Sequence, residues 1–469
     1  MDTIAAIATP IGSGGIGVIR ISGPAAVEVA GRVFKPDPQN LDSHTAHHGT
    51  LTRPPSVPPC QGGKREVVPP YEGGMQGGEE QLDDAVLTIF RAPKSYTGED
   101  VIEISCHGGI VTMKAALRAV LDAGARLAAP GEFTQRAFLN GKLDLAQAEA
   151  VNDLIRARTD QARRVALRQL DGALSSHLSS INSRILAVIA AVEAAIDFPD
   201  DVAEPEGAWI GSEITEAKGA LELLLASLGR GRVYREGLRV VIAGRVNVGK
   251  SSLLNALLRH ARAIVTPIPG TTRDLIEESL EIRGIPIVAI DTAGLRATDD
   301  PVEQAGVELS RRSIESADLI LLVIDAREGL HEEDSALLAR LDGRRVIVVA
   351  NKVDLCAPSA YEREGVKTVR TSATTGQGID ELEDTIAEIA GASDAGSESI
   401  VVSNARHEEA LRSASESLGH ALATLDSGQP IDLLSGDLIA VRSSLGLITG
   451  ETATEDLLAR IFSEFCIGK

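Results

Sequence analysis

Three kinds of hydrophobic spacing follow one another along the chain. Residues 1–125 carry short runs rich in Val and Ile. Thr3–Thr9, Gly17–Ser22, Ala85–Arg91 and Val101–Ser105 read as strands, and Val111–Ala123 reads as a helix closed by Gly124. From Leu143 the period becomes helical. Val151, Ile155, Ala162, Ala166, Leu170 and Leu174 fall at spacings of 4, 7, 4, 4 and 4, and Ile181, Ile185, Val188, Val192 and Ile196 at 4, 3, 4 and 4. Asp197-Phe198-Pro199 breaks the stripe, and Glu213–Leu228 reads as a further helix ended by Gly229. At Leu238 strand runs L-R-V-V-I-A, I-P-I-V-A-I, D-L-I-L-L-V-I and R-V-I-V-V-A begin to alternate with helical stretches, as in a parallel sheet wrapped by helices. After about Ala390 only helices are expected. A lone helical tail would not bury its apolar faces, so 404–469 should pack on helices 143–230, with the α/β unit inserted between.

The predicted architecture is a mixed α+β N-terminal domain (1–125), a helical domain in two parts (126–236 and 392–469) and a Ras-like parallel α/β domain (237–391) inserted into the helical one. Arg53–Glu80 interrupts the first domain with three P-P and three G-G pairs, a composition that buries little and reads as a flexible loop. The chain has 46 Lys+Arg against 67 Asp+Glu, a net charge of −21, which argues against coating nucleic acid through bulk charge. With 43% apolar and 24% charged residues, disorder of the whole chain is excluded. Only 12 residues are aromatic, so the cores must rest on Ala, Leu, Ile and Val. Cys60, Cys106, Cys356 and Cys466 show no C-x-x-C spacing, which excludes a disulfide framework or a Cys₄ zinc site and fits a reducing, cytoplasmic setting. No apolar run approaches about 18 residues, so no membrane span is expected, and Met1-Asp2-Thr3 does not open a secretory signal.

The strongest chemical signal is G-R-V-N-V-G-K-S at Gly244–Ser251, after a strand and before the helical S-L-L-N-A-L-L. Its glycines let backbone N–H groups close on phosphate oxygens, Lys250 supplies a charge to the β/γ-phosphates, and the Ser251 hydroxyl suits Mg²⁺. Asn351-Lys352-Val353-Asp354 follows another strand. The Asp354 carboxylate can accept guanine N1–H and the 2-amino group. Adenine lacks that donor pair, a difference that can discriminate on the order of 10⁴-fold. Ser372-Ala373-Thr374 suits the loop that closes over the base. Asp291-Thr292-Ala293-Gly294 ends a strand, where Asp291 would hold a Mg²⁺ water and the Gly294 N–H the γ-phosphate. Gly270-Thr271-Thr272 offers Thr272 as a second Mg²⁺ hydroxyl. Four motifs in this order define a GTPase domain. The position after D-x-x-G, where Ras-like enzymes place a water-orienting Gln, is Leu295, so another group must position water. Arg296 is a candidate cation in cis, and Asp299, Asp300 and Glu303 lie just downstream. Gly12-Ser13-Gly14-Gly15-Ile16-Gly17 matches G-x-G-x-x-G literally, but V-I-R-I-S after it is a strand and not the helix a dinucleotide loop must open.

In this order the chain resembles, nearly end to end, the MnmE/TrmE family of tRNA modification GTPases. The specific stretches are G-G-I-G-V-I-R-I-S-G at Gly14–Gly23, G-E-D-V-I-E at Gly98–Glu103, P-G-E-F-T-Q-R-A-F-L-N-G-K-L-D-L-A-Q-A-E-A at Pro130–Ala150, A-A-I-D-F-P-D at Ala194–Asp200 and the terminal F-C-I-G-K at Phe465–Lys469. The resemblance implies a homodimer that acts with an FAD-dependent MnmG/GidA-type partner, as a heterotetramer, on tRNA. The product is a carboxymethylaminomethyl or aminomethyl group at C5 of the wobble uridine. It implies that a 5-formyl- or methylene-tetrahydrofolate on the N-terminal, dimerising domain supplies the carbon, contacted by Arg20, Glu103, Lys142 and Lys469. A carboxylate suits the pterin N–H donors and cations suit the folate's own carboxylates. It implies GTP contacts from Asn247, Val248, Gly249, Lys250, Ser251 and Ser252, and from Thr266, Pro267, Ile268, Pro269, Gly270, Thr271 and Thr272. It implies K⁺ in place of an arginine finger, held by Asn247, Thr266, Ile268 and Thr271, and Glu303, twelve residues after Asp291, as the catalytic carboxylate.

Two features depart from the pattern: the Arg53–Glu80 insertion and Val246 where a Pro is common. Cys466 suggests either a thiol near the one-carbon chemistry or a packing residue. Arg156, Arg158, Arg163, Arg164 and Arg168 suggest either a solvated helical face or a tRNA or partner contact. The rival reading, a ribosome-assembly GTPase that only binds RNA, would need an appended RNA-binding module, and none is evident.

Overall fold

A computed structural model describes residues 2–53, 80–260, 262–263, 277–291, 314–341, 343–355, 366–391 and 400–469. The Pro/Gly-rich stretch 54–79 therefore lies outside the described residues. The chain forms two compact units, Met1–Glu149 with Thr449–Lys469, and Ala150–Ile448.

In the first unit, β1 (Ile4–Ile7), β2 (Ile16–Ser22), β3 (Phe34–Lys35), β4 (Thr45–Thr52), β5 (Gln81–Phe90), β6 (Val101–His107) and β7 (Arg126–Leu127) make one sheet in the order β3-β4-β5-β6-β2-β1-β7. The two-residue period of β2 assigns its faces. Gly17, Ile19 and Ile21 turn to the core under α1 (Ala26–Gly31) and α2 (Ile110–Asp122), beside Met113, Ala116 and Val120. Gly17 has to be glycine, because a Cβ there would stand 2.3 Å from the Met113 sulfur. Arg20 lies on the opposite face, in register with Ala6 of β1 and Glu103 of β6. The glycine-rich stretch Gly12–Gly17 lines a 310 Å³ cavity with Ile7, Ile110 and Met113 and leads into β2, which agrees with rejecting it as a dinucleotide loop. Strands β3, β4 and β7 are absent from the sequence reading. Thr45–Thr52 is T-A-H-H-G-T-L-T, too polar to show an apolar alternation.

The helical stripe from Leu143 breaks into α3 (Glu132–Leu139) before it, then α4 (Leu145–Arg156), α5 (Asp160–Leu170), α6 (Ala173–Asp197) and α7 (Gly207–Glu236). Thr159 caps α5 by accepting the Ala162 N–H, and Gly172 in the left-handed region starts α6. Helix α6 is long and apolar enough to cross a membrane by length and composition, although Ser, His, Asn, Arg and Glu interrupt its apolar residues. It also turns Leu178, Ile181, Ile185, Val188 and Val192 into the interior, as a core helix does. Helix α7 does not end at Gly229, as expected, but runs 30 residues through it to Gly237. A helix tolerates an isolated Gly, and the next glycine, Gly231, is required by packing. Its backbone passes so close to Val402 that a Cβ would stand 1.9 Å from that carbonyl oxygen.

The second sheet follows from the motif-bearing strands. β8 (Leu238–Ala243), β9 (Arg262–Ala263), β10 (Glu277–Ile282), β11 (Ile285–Asp291), β12 (Leu319–Asp325), β13 (Val346–Asn351) and β14 (Lys367–Thr371) take the order β14-β13-β12-β8-β11-β10-β9. β14 to β11 are parallel, while β10 pairs antiparallel with both β11 and β9, so the sheet is mixed at one edge. All seven residues of β12 are buried, as a central strand covered on both faces requires. Helices α8 (Lys250–His260), α9 (Glu332–Arg340) and α10 (Ile379–Ile389) accompany it. The closing helices are α11 (Ala405–Asp426), α12 (Asp432–Thr449) and α13 (Glu455–Ser463). α11 packs on α7, and Arg442 of α12 donates to Asn182 of α6, as expected for an inserted α/β unit. The last segment differs. From Thr449 the chain joins the N-terminal unit, where Phe462 and Phe465 pack with Phe138 and Leu145.

Paired glycine substitutions test the α7 packing. Gly231→Ala is expected to destabilise by about 1–3 kcal/mol, because the atom it meets is backbone that cannot turn aside. Gly229→Ala meets nothing within 4 Å and is expected to be neutral or to stabilise by about 1 kcal/mol. Denaturant unfolding of both variants reads the difference, and equal stabilities would contradict the packing described.

Candidate functional site

Two sites emerge, one in each unit. In the second unit the loop between β8 and α8 carries Gly244–Gly249. Gly244 has φ +139°, and a Cβ on it would lie 2.2 Å from the Val323 carbonyl oxygen. Gly249 has φ +98°, and a Cβ on it would lie 2.3 Å from Asn351 Nδ2. Both glycines are thus fixed by neighbouring strands as well as by conformation. The Lys250 Nζ donates to the Gly244 and Arg245 carbonyl oxygens at 2.8 Å each, which holds the ammonium across the loop. Ser251 and Ser252 are exposed in the first turn of α8, and a helix N-terminus attracts anions. Arg245 is anchored away from the loop, to Glu328 at 2.9 Å and to the buried Asp334 at 3.1 Å. This donor set suits a nucleotide's phosphates, and the Ser251 hydroxyl suits a Mg²⁺ ion beside them.

Asn351, at the end of β13, is 1% exposed and joins three segments. Its Nδ2 donates to the Val248 carbonyl oxygen at 3.0 Å, and its Oδ1 accepts the Ala373 N–H at 3.1 Å. The phosphate loop, the N-K-x-D loop and the loop at Ser372-Ala373-Thr374 are thereby held together. Lys352, φ +67°, reaches back to the Asn247 carbonyl oxygen at 2.5 Å. Asp354 sits exposed in a one-turn helix, Val353–Leu355, with its carboxylate open to an incoming base. Buried Ser372 accepts the Thr375 N–H through its hydroxyl and shapes the third loop. Asp291 ends β11 in register with Ile242 of β8, at the same edge of the sheet as the phosphate loop. Thr266, Pro267, Ile268, Pro269, Gly270, Thr271, Thr272, Thr292, Ala293, Gly294 and Glu303 lie outside the described residues.

The second site is an ion pair in the N-terminal unit. Arg20 Nε donates to Glu103 Oε1 at 2.9 Å, and a second guanidinium nitrogen stands 2.7 Å from the same oxygen. The Arg20 side chain also lies over the rings of Tyr96 (5.5 Å) and Phe133 (5.8 Å), a cation–π setting. Tyr96 bonds Thr134 of α3 at 2.8 Å, and its burial raises the phenol above its ordinary range. The C-terminal tail closes the site. Arg20 donates to the Gly468 carbonyl oxygen at 3.4 Å, and the Gly131 N–H donates to the Cys466 carbonyl oxygen at 3.4 Å. Gly468, φ +94°, is pressed on β1 so closely that a Cβ would lie 2.3 Å from the Ile7 carbonyl oxygen. Burial first, and the Arg20 charge second, push the Lys469 ammonium below its ordinary range, while Glu103 opposes them. Lys142 is bonded instead to the Pro93 carbonyl oxygen at 3.2 Å, and its stem passes Gly98. The structure thus joins Arg20, Glu103 and the Lys469 tail, with Lys142 bonded to the adjoining Pro93–Gly98 loop. Carboxylate, guanidinium, ammonium and aromatic rings together suit a ligand with a planar heterocycle and acidic groups, as a folate has.

Sequence reasoning missed Tyr96 and Phe133, whose rings carry the guanidinium, and the Arg136 network behind them. Arg136 is 4% exposed and joins Asp2, Glu99 and Glu132. The stretch P-G-E-F-T-Q-R was visible, but not that its Arg faces inward. The arginine cluster divides. Arg163 and Arg164 both pair with Asp160 on the same helix, as solvated-face residues do. Arg158 instead donates to Ser279 of β10 at 3.4 Å.

Comparison with known proteins gives two family profiles. One described as GTP-binding protein TrmE N-terminus matches residues 3–142, and one described as MnmE helical domain matches residues 145–466. Proteins named tRNA modification GTPase MnmE are similar over the full chain. That of Geobacillus kaustophilus is 46% identical over 483 residues, covering 100% of this chain and 99% of its own. That of Chloroflexus aurantiacus is 47% identical over 475 residues and that of Bacillus subtilis 44% over 482, each covering 100% of both chains.

The cysteines give a direct test of the N-terminal fold. Cys106 is buried, and burial, with Asp83 adding to it, pushes its thiol up to about 11. Cys466 in the tail is exposed. At pH 8, iodoacetamide followed by peptide mass spectrometry should find Cys466 alkylated and Cys106 intact in the folded protein. Equal labelling of the two would contradict the packing of α2 on the sheet.

Proposed function

The chain belongs to the tRNA modification GTPase MnmE family and is a GTP hydrolase, and from that premise we propose how its two sites divide the work. The second unit binds GTP with Mg²⁺ and hydrolyses it with K⁺ in place of an arginine finger. Lys250 and the N–H groups of the phosphate loop hold the phosphates. Ser251 and Thr272 hold the Mg²⁺. Asp354 reads guanine, with Ser372, Ala373 and Thr374 closing over the base. Asn247, Thr266, Ile268 and Thr271 hold the K⁺, and Glu303 orients the attacking water, the task that Leu295 cannot perform. Asn247 is compatible with the cation role: it is exposed in the phosphate loop, with its backbone at φ +64° and its carbonyl engaged by Lys352, and its amide oxygen is a cation ligand by type.

The N-terminal unit binds a 5-formyl- or methylene-tetrahydrofolate through Arg20, Glu103, Lys142 and Lys469, and the bound folate supplies the one-carbon unit. The observation that carries this is the Arg20–Glu103 pair, held over two aromatic rings and met by the tail carbonyl of Gly468. Glu103 accepts N–H donors of the heterocycle, and the cations receive the ligand's carboxylates. The product is a carboxymethylaminomethyl or aminomethyl group at C5 of the tRNA wobble uridine, made by a cytoplasmic homodimer with an MnmG/GidA-type FAD protein. An RNA-binding GTPase without modification chemistry would have no use for the N-terminal ion pair.

A strain lacking the protein, complemented with the native chain or with Glu303→Ala, tests this. Mass spectrometry of tRNA nucleosides should show the C5-modified uridine restored by the native chain and lost with the variant. The purified native enzyme should turn over GTP much faster in K⁺ than in Na⁺ at equal ionic strength, and Glu303→Ala should lower turnover by about 10²–10⁴-fold. Unchanged nucleosides in the deletion strain would overturn the modification role. Equal rates in the two salts would overturn the K⁺ assignment.

A further inference from the structure

Asp325 ends β12 and is 2% exposed. Its carboxylate is filled by neighbours. Oδ1 accepts the Arg327 N–H and Nε, both at 3.0 Å, and Oδ2 accepts an Arg327 terminal nitrogen at 2.6 Å and the Lys352 Nζ at 2.9 Å. The Arg327 fork, and after it Lys352, hold this carboxyl well below the usual carboxylate range. The fork fixes the plane of the carboxylate, so the direction it offers to Lys352 is fixed as well. A lysine stem has four rotatable bonds and on its own would sample many rotamers. Here its ammonium is placed between Asp325 Oδ2 and the Asn247 carbonyl oxygen. Both backbones that meet there are left-handed, Lys352 at φ +67° and Asn247 at φ +64°. Neither residue is glycine, so each conformation needs surrounding contacts to hold it.

We propose that Asp325, backed by Arg327, is a positioning residue for guanine nucleotide, holding Lys352 on the Asn247 carbonyl and thereby tying the base-reading loop to the cation-binding turn of the phosphate loop. The cation half of this rests on Asn247 being a K⁺ ligand. The two loops then act as one body. Loosening Lys352 releases the nucleotide and lets the Asn247 backbone leave the conformation that aims its side chain.

Asp325→Asn in the full chain keeps the size of the side chain and removes its charge. Release of a fluorescent GDP analogue, chased with unlabelled GDP, should accelerate on the order of 10–100-fold. The K⁺ concentration for half-maximal GTP turnover should rise in parallel. Arg327→Gln leaves the carboxylate in place but frees its plane, and should move both quantities the same way by less. A merely structural Asp325 would lower the melting temperature without changing either, so unaltered GDP release from the folded variant overturns the proposal. Faster release with an unmoved K⁺ requirement overturns the tie to the cation turn. If native enzyme shows no K⁺ stimulation, the K⁺ reading itself fails, and the GDP release rate alone still decides the role of Asp325. Should Asp325→Asn not fold, Arg327→Gln decides by the same two measurements.

Discussion

An ion pair between two neighbouring central strands fixes where the two ends of this chain meet. Arg20 and Glu103 are in register on β2 and β6, so their pairing follows from the sheet itself. Their side chains are 15% and 27% exposed. A pair so placed loses much of its hydration and contributes little net stability, so its position is better explained by recognition than by folding. The pair also sets the path of the tail. The Gly468 carbonyl approaches Arg20, and Gly468 itself fits against β1 only because it lacks a Cβ. Gly131 does the same for the preceding turn, where a Cβ would lie 2.6 Å from the Phe462 carbonyl oxygen. Two glycines and one guanidinium therefore bring the last residues to the first strand.

The nucleotide site is built on a different economy. One amide, Asn351, satisfies a carbonyl of the phosphate loop and an N–H of the base loop, and its own burial demands both bonds. Gly249 is fixed by that amide as firmly as by its φ angle. Lys352, Asp325 and Arg327 extend the same contact outward. Loops that carry ligand groups are usually the mobile parts of a domain. Here three of them are cross-braced by buried polar side chains whose loss would leave desolvated partners.

Much of this was legible in the sequence, for physical reasons. The six consecutive apolar residues that open β12 admit no other place than the centre of a parallel sheet, and the phosphate and N-K-x-D loops are short motifs whose chemistry needs those residues in that spacing. What escaped was of two kinds. Thr45–Thr52 lacks an apolar alternation because Thr and His occupy both of its faces, and α7 runs through Gly229 because tertiary packing overrides a weak helix penalty. The rest depends on contacts between residues far apart in sequence. Nothing in the spacing of Glu455–Ser463 says that Phe462 meets Phe138, or that Asp325 at a strand end meets Lys352. The switch residues around Thr272 and Glu303 were legible only as motifs, and they lie outside the described residues.

The central claim is that the tail is part of the N-terminal ligand site and independent of the nucleotide site. Calorimetric titration with 5-formyltetrahydrofolate of a chain lacking Cys466–Lys469, alongside GTP turnover on the same preparation, tests it most directly. Loss of folate binding with GTP turnover retained is the predicted result. Folate affinity equal to that of the full chain would contradict it.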